Sequence, residues 1–162
     1  MKRTSKKTSA KRRTPPTAPK MSEILKKMSE KILNRGDDAP AEAQQIALLL
    51  AYHAWNQAIG YPCKLDHRFK KEIADAKRKL PTLWSEFIHS DYEMLINMLT
   101  LHKMGTHPDD ERFVVGIQTA DDDRYEEGGR IRVAFVPKSN HDAFFKLSDK
   151  KQQAMIADML NR

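Results

Sequence analysis

The residues that most constrain the fold are 41–59, AEAQQIALLLAYHAWNQAI, because almost every position around the helix from Ile46 onward is apolar. A helix that is apolar on all sides is stable only where other elements surround it. Its polar positions form one narrow seam that Leu49 interrupts: Glu42, Gln45, His53 and Asn56. We therefore expect this helix at the centre of a globular domain, with only that seam facing water.

Residues with short polar side chains stand where the predicted helices begin. Such side chains accept hydrogen bonds from the free N–H groups of a first helical turn. The expected N-caps are Ser22, Asp38, Asp66, Thr82, Ser90 and Ser148. Ser90 with Glu93 also fits a capping box, and Pro40 suits a first turn. Gly60 and Gly105 are expected to end the helices that precede them.

The apolar pattern changes from a helical period to an alternating one at Arg112. RFVVGIQT and RIRVAFV alternate, and the acidic segment DDDRYEEGG lies between them, which predicts a β-hairpin. The residues expected on one face are Phe113, Val115, Ile117, Ile131, Val133 and Phe135. Two strands are barely stable alone, so the hairpin must lay a face on the helices or join strands of a partner.

Length and pattern together predict the fold class and the domain boundaries. A chain of 162 residues has the length of one domain. We expect an α+β fold, a mostly helical single domain of about five to six helices over residues 21–162, with one antiparallel hairpin at about 112–136. Residues 1–20 are expected to be a disordered basic arm, because they contain no Leu, Ile, Val or Phe to bury.

The net charge of +7 is distributed unevenly along the chain. Residues 1–20 hold no acidic residue and eight cations, namely Lys2, Arg3, Lys6, Lys7, Lys11, Arg12, Arg13 and Lys20. Subtracting these eight from the 29 basic residues leaves 21 against 22 acidic residues, so residues 21–162 carry a formal charge of −1. Such an arm is typical of segments that lie along phosphates. Two other interpretations stay open: a solvated extension without a specific role, or a segment upstream of a translation start at Met21.

A second concentration of positive charge falls on the predicted helix 66–79, outside a narrow apolar stripe. The phosphate contacts expected from it are Arg68, Lys70, Lys71, Lys77 and Arg78. An ordinary solvated helix also carries such charges, with internal pairs such as Asp75 and Lys79. The first predicted helix of the chain, 22–34, also has lysines. They could extend this basic surface or simply face solvent: Lys26, Lys27 and Lys31.

The reactive residue types form no recognisable catalytic motif. His102, His107 and Asp109 are close in sequence, but the spacing of the two histidines fits no helical pair of metal ligands. Pro108 and Asp109 resemble the first half of a metal-dependent nuclease motif, whose second half, an acid, a spacer and a lysine on a later strand, is missing. Cys63 stands in no nucleophile motif. We therefore expect no enzyme activity, no metal site and no cofactor.

These observations favour a non-enzymatic, intracellular nucleic-acid-binding accessory protein that contacts the phosphates of DNA or RNA through its basic arm. The sequence has no hydrophobic signal region and no run of about 20 apolar residues, so we expect a cytoplasmic protein without a membrane partner. The rival hypothesis is a protein–protein interaction module, an adaptor or inhibitor. It would act through the hairpin edge, the acidic tip or the seam of residues 41–59, and the neutral body favours it.

Overall fold

A computed structural model describes residues 19–35, 38–60, 65–120 and 130–161. Within those ranges the helices are α1 (Met21–Glu30), α2 (Ala41–Ile59), α3 (Leu65–Lys79), α4 (Pro81–Phe87), α5 (Tyr92–Thr106), α6 (His141–Phe145) and α7 (Asp149–Asn161). The strands are β1 (Phe113–Ala120) and β2 (Arg130–Val136), and a 3-10 turn over Lys138–Asn140 precedes α6. The predicted fold class is confirmed: the protein is mostly helical, with one two-stranded antiparallel hairpin. No helix among the described residues is both long and apolar enough to cross a membrane.

Helix α2 lies at the centre of the core, as its apolar circumference predicts. It packs against α1, α5 and β1, and against α3 and α4 more narrowly. Its fully buried side chains include Leu50 and Trp55, and Leu48 is also buried. Each buried side chain of this size stabilises the fold by about 1.5 to 3 kcal/mol relative to exposure, so the surrounding elements are organised by α2.

The polar seam of α2 does not face water along its whole length, so this part of the sequence expectation is wrong. Asn56 is buried and exchanges hydrogen bonds with the backbone of Val114 on β1. Gln45 donates to a threonine hydroxyl of the same strand. The ring of His53 stacks on Phe69 of α3, with the two ring centroids 3.6 Å apart. The polar seam therefore holds β1 and α3 against α2. The spacing of polar and apolar residues along α2 could not predict where these neighbours lie.

The two strands pair antiparallel, with one irregularity in register between Val114 and Gly116. Because such an irregularity shifts the alternation of side chains, Phe113 and Val114 are both buried. Phe135, which pairs with Val114, is 36% exposed. The strict period of two therefore holds over most of the hairpin and fails near its open end.

Helices cover both faces of the hairpin. Ile117 packs against the core around α2, whereas the neighbouring Gly116 lies under Ile156 and Leu160 of α7. The expectation that the hairpin lays a face on the helices is confirmed. Helix α7 buries none of its described residues fully, and Met155 is exposed. Its apolar residues Ile156, Met159 and Leu160 are half-buried.

Helix starts differ from the sequence expectation, while one helix end agrees with it. The N-cap positions of α1, α2, α4 and α5 are occupied by Lys20, Pro40, Leu80 and Asp91, and none of them makes a side-chain capping bond. Helix α3 begins at Leu65, before the cap expected at Asp66. The expected caps Ser22, Asp38, Asp66, Thr82 and Ser90 are therefore wrong. Gly60 ends α2 in the left-handed conformation, with φ 70°, as predicted.

Candidate nucleic-acid interface

Most of the predicted arm lies outside the described residues. This holds for the seven cations from Lys2 to Arg13. The eighth, Lys20, is exposed and directly precedes α1. The chain enters the described body at Pro19, whose carbonyl accepts a hydrogen bond from Arg112 Nη2 at 3.1 Å. This bond fixes the point from which the arm departs.

The basic face predicted for α3 is divided by contacts within the protein. Lys70 and Lys71 are exposed, whereas only the backbone of Arg68 is described. Lys77 Nζ lies 2.8 Å from the Tyr92 hydroxyl and 4.9 Å from the ring centroid of Trp84. These contacts engage the Lys77 ammonium with aromatic groups of the protein itself.

Arg78 is also engaged, because its Nη2 donates to Asp75 Oδ1 at 3.0 Å. This hydrogen bond is the main reason that the pKa of Asp75 lies below its ordinary value, and the nearby charges of Arg78, Lys79 and Lys71 act in the same direction. A phosphate would have to compete with Asp75 for Arg78. Lys77 and Arg78 thus contact groups of the protein itself, and the phosphate-binding role of the α3 cations stays a prediction.

A cavity of about 290 Å³ lies between α1 and the C-terminal part of α5, and the sequence expectation did not include it. Its lining residues are Pro19, Glu23, Ile24, Lys27, Met28, Lys31, Trp55, His102, Lys103 and His107. The lining thus contains three lysines and two histidines but a single carboxylate. The salt bridges of the described residues involve none of these three lysines.

Lys103 is the most unusual residue of this cavity, because it is charged and only 3% exposed. Its ammonium lies 5.0 Å from the ring centroid of Trp55. Burial lowers the pKa of Lys103 below its ordinary value, although the carboxylates of Asp110, Glu111 and Asp109 act in the opposite direction. Within the part of the chain that the structure describes, the ammonium has no hydrogen bond or ion pair.

The small exposed fraction of Lys103 describes the residue as a whole and not its ammonium. Among the described residues, no buried side-chain nitrogen or oxygen lacks a hydrogen-bond partner. Because Lys103 Nζ makes no hydrogen bond, it is not fully enclosed and is accessible from the cavity that the residue lines. An anion in the cavity could therefore reach this ammonium.

Trp55 and Arg112 hold the floor of the cavity in place. Trp55 Nε1 donates to the Arg112 carbonyl at 2.7 Å, which joins α2 to the residue before β1. The Arg112 guanidinium forms a two-pronged ion pair with Asp110, with a distance of 2.8 Å from Nε to Oδ1. The same guanidinium also holds Pro19 at the cavity rim. One arginine thus connects the hairpin, the end of α5 and the start of α1.

A second, more open cavity of about 570 Å³ adjoins the first at Pro19 and His107. It is lined by the acids of the turn after α5, and its ions are largely paired: Asp110 with Arg112, and Glu111 with Lys138. In the described ranges, no three His, Cys, Asp or Glu side chains converge as metal ligands would. The acidic hairpin tip, residues 121–127, lies outside the described residues.

Helix α5 carries an exposed apolar stripe on the side away from α2. Its side chains are between 53% and 69% exposed: Met94, Met98, Leu101 and Met104. The opposite side of α5 packs on α2, with Ile96 and Leu99 buried. Helix α5 therefore packs on α2 with one side only. Exposed apolar patches of this kind mark interaction surfaces.

The sequence does contain a signal for the buried lysine, although the sequence reasoning missed it. Ile96, Leu99, Thr100 and Lys103 recur at spacings of three, one and three, which place them on one side of a helix. A charged residue that continues an apolar stripe predicts either a helix end or a buried charge. Here both hold, because Lys103 is buried and lies in the last turn of α5.

The charge balance of the basic cavity favours anions, because three lysines line it with one carboxylate. Among its described lining residues there is no hydroxyl or thiol, and Glu23 is the one carboxylate. Comparison with known protein families, with curated proteins and with solved structures finds no match to this chain. The function has to be inferred from the surfaces of the chain itself.

Proposed function

We propose that the protein is a non-enzymatic nucleic-acid-binding accessory protein, in which the basic arm and the lysines of the α1–α5 cavity contact phosphates. The observation that carries this proposal is the position of Pro19. It lines the cavity together with Lys27, Lys31 and Lys103, and it is where the arm joins the body. The arm therefore joins the body beside the lysines of the cavity, although residues 21–162 as a whole carry a charge of only −1.

Electrostatics supports this arrangement over the predicted α3 face. Two of the α3 cations, Lys77 and Arg78, already contact groups of the protein. The lysines of the cavity have no such ion pairs among the described residues. Binding to phosphates would release counterions from the nucleic acid, and the affinity would then fall steeply with salt.

The experiment measures affinity for a duplex and for a single strand over a range of salt concentrations. In one variant the seven arm cations, Lys2, Arg3, Lys6, Lys7, Lys11, Arg12 and Arg13, are replaced by Gln in the full chain. Each phosphate contact contributes about 0.9 to the slope of log affinity against log salt, so seven contacts set a ceiling of about 6 units. We expect this variant to lose most of the slope while its melting temperature is unchanged.

Three further variants locate the folded contacts. Lys27→Gln with Lys31→Gln tests the cavity, and Lys70→Gln with Lys71→Gln tests α3. Lys150→Gln with Lys151→Gln is the matched control, because both lysines are exposed and lie on α7. We expect the cavity pair to weaken binding more than the control pair. If every variant bound as the parent does, or if the parent failed to bind at low salt, the proposal would be wrong.

The exposed stripe of α5 favours a second candidate function, a protein–protein interaction module. In this proposal the stripe binds a second copy of the chain. The stripe holds no charged residue, and Met94 and Met104 lie at equal distances along the helix from its centre. Two antiparallel copies would therefore place the same apolar side chains opposite each other, without like charges meeting. This surface replaces the hairpin edge and the seam of residues 41–59 as the site of that alternative.

A further inference from the structure

Lys103 is a charged side chain that is 97% buried and that lines a cavity without an ion pair or hydrogen bond among the described residues. An ammonium that reaches the cavity without such a partner is available to an anionic ligand. Of the acids whose charges act on Lys103, Asp110 and Glu111 are already paired with Arg112 and Lys138. Lys103 therefore adds a positive charge to the cavity that no direct ion pair occupies among the described residues.

The charge and the walls of the cavity restrict the class of ligand further. Lys27, Lys31 and Lys103 against Glu23 leave an excess of two positive charges among the lining groups, with the histidines taken as neutral. A phosphate monoester carries a charge of about −2 at neutral pH. Lysine binds phosphate as a point charge and does not need the fixed geometry of an arginine fork. A dianion would balance the excess.

The remaining wall is apolar. Pro19, Ile24 and Met28 line it, and Trp55 lies beneath Lys103, fully buried. The volume of about 290 Å³ accommodates one small molecule and lies at the lower limit for ligand sites. A ligand with a flat, weakly polar body attached to its phosphate would use both parts of the cavity.

We propose that the α1–α5 cavity binds a phosphate monoester attached to a flat body such as a nucleobase, with Lys103 facing the phosphate. The monoester has two chemically equivalent sources, a free mononucleotide or the phosphorylated end of a nucleic acid chain. The second source rests on the function proposed above. Binding of a free mononucleotide does not rest on that function, so the cavity and the arm can be tested separately.

The test uses the full chain with Trp84→Phe, so that Trp55 is the remaining tryptophan. Adenosine monophosphate, adenosine and inorganic phosphate are titrated separately, and binding is measured by calorimetry and by Trp55 emission. We expect adenosine monophosphate to bind saturably and to change the emission, and adenosine to bind at least tenfold more weakly. Equal binding of the two, or no saturable binding of the monophosphate, would overturn the proposal.

Lys103→Met is the decisive variant, because Met has a similar volume and removes only the charge. We expect it to weaken monophosphate binding at least tenfold. Lys150→Met is the matched control, since it removes an exposed lysine of α7, and it should leave the affinity unchanged. If Lys103→Met failed to fold, Lys27→Met with Lys31→Met would give the same test from the exposed rim. Unchanged affinity in a folded Lys103→Met variant would overturn the proposal.

Oligonucleotides with and without a terminal phosphate then distinguish the two sources. If the terminal phosphate increases affinity and adenosine monophosphate competes for it, the chain end is the source. If only the free monophosphate binds, a mononucleotide is the source, and either result supports the cavity as a phosphate site. The arm variant with seven cations replaced by Gln keeps Pro19 and Lys20. It should bind the monophosphate as the parent does even if long nucleic acids fail to bind either protein.

Discussion

Asn56 of α2 and Val114 of β1 are joined by two reciprocal hydrogen bonds. Asn56 Nδ2 donates to the Val114 carbonyl at 2.8 Å, and the Val114 N–H donates to Asn56 Oδ1 at 3.0 Å. Both residues are buried. The side-chain amide thus pairs with the strand as a neighbouring strand would, at the point where the hairpin register is irregular. This relationship fixes the hairpin on the central helix.

The first prediction is that Asn56→Leu destabilises the fold by about 2 to 5 kcal/mol. The replacement has a similar size but leaves a buried N–H and a buried carbonyl of Val114 without partners, and each such group costs about 1 to 3 kcal/mol. Urea denaturation measures the change. Asn97→Leu is the control, because Asn97 is exposed and has one long contact with Gln57 at 3.4 Å. Equal losses in the two variants would show that the reciprocal pair is not what stabilises the hairpin.

The second prediction concerns the pH dependence that Asp110 gives to stability. Burial raises the pKa of Asp110, but the hydrogen bonds from Arg112 and the charges of Arg112 and Lys103 outweigh burial and hold the pKa below its ordinary value of 3.8. A carboxylate whose pKa is lower in the folded state stabilises the fold above the unfolded pKa. That contribution is lost as the pH falls from about 3.8 through the lower folded pKa.

Asp110→Asn should therefore cost about 1 to 3 kcal/mol at pH values near 6, because the ion pair with Arg112 is largely buried. The difference between variant and parent should shrink as the pH is lowered below about 3.8. Denaturation at both pH values provides the measurement. Glu111→Gln serves as the control, since its pair with Lys138 is exposed and contributes about 0 to 1 kcal/mol. A difference that stayed constant with pH would show that the Asp110 charge is not responsible.

The centre of the fold could be predicted from the sequence because its signals are local. The apolar circumference of residues 41–59 requires burial wherever the helix lies, and the alternation around Phe113 and Val133 indicates strands without knowledge of the partner. Gly60 predicts a helix end because a left-handed residue favours glycine. Each of these inferences depends on residues within one segment.

The parts that could not be predicted depend on contacts between segments. Helix α5 is apolar on several sides, so its period does not tell which side packs on α2 and which leaves Met98 exposed. Asn56 is a polar residue on a seam in the sequence, and only the position of Val114 explains its burial. The basic cavity forms only where α1, α5 and Trp55 pack together. The spacing of residues within one segment cannot predict such packing between segments. The predicted arm and acidic tip lie outside the described residues.

The third prediction is that Gly116→Ala destabilises the protein by about 1 to 3 kcal/mol. A Cβ at this position would lie 2.7 Å from Cγ2 of Ile156 on α7, which is too close, so a side chain has to move. The cost should fall when Ile156 is also replaced by Ala, and a double-mutant cycle measures that coupling. Gly105→Ala is the control and should change the stability in the opposite direction. A Cβ added at Gly105 would have nothing within 4 Å. Since Gly105 lies within α5, the change to Ala should stabilise by about 0.5 to 1 kcal/mol.

The last prediction tests the exposed stripe of α5 as a contact between two copies of the chain. Met98 is 56% exposed and Leu101 is 69% exposed, so Met98→Glu with Leu101→Glu should change the free energy of unfolding by no more than about 0.5 kcal/mol per site. The same change places four like charges in an antiparallel contact of two copies and should abolish the dimer. Sedimentation velocity over a range of protein concentrations measures both species. Met155→Glu is the matched control, because Met155 is an exposed apolar residue of α7, and it should leave association unchanged. A parent protein that stays monomeric at every concentration would remove self-association as the role of this stripe, and the nucleic-acid proposal would be unaffected.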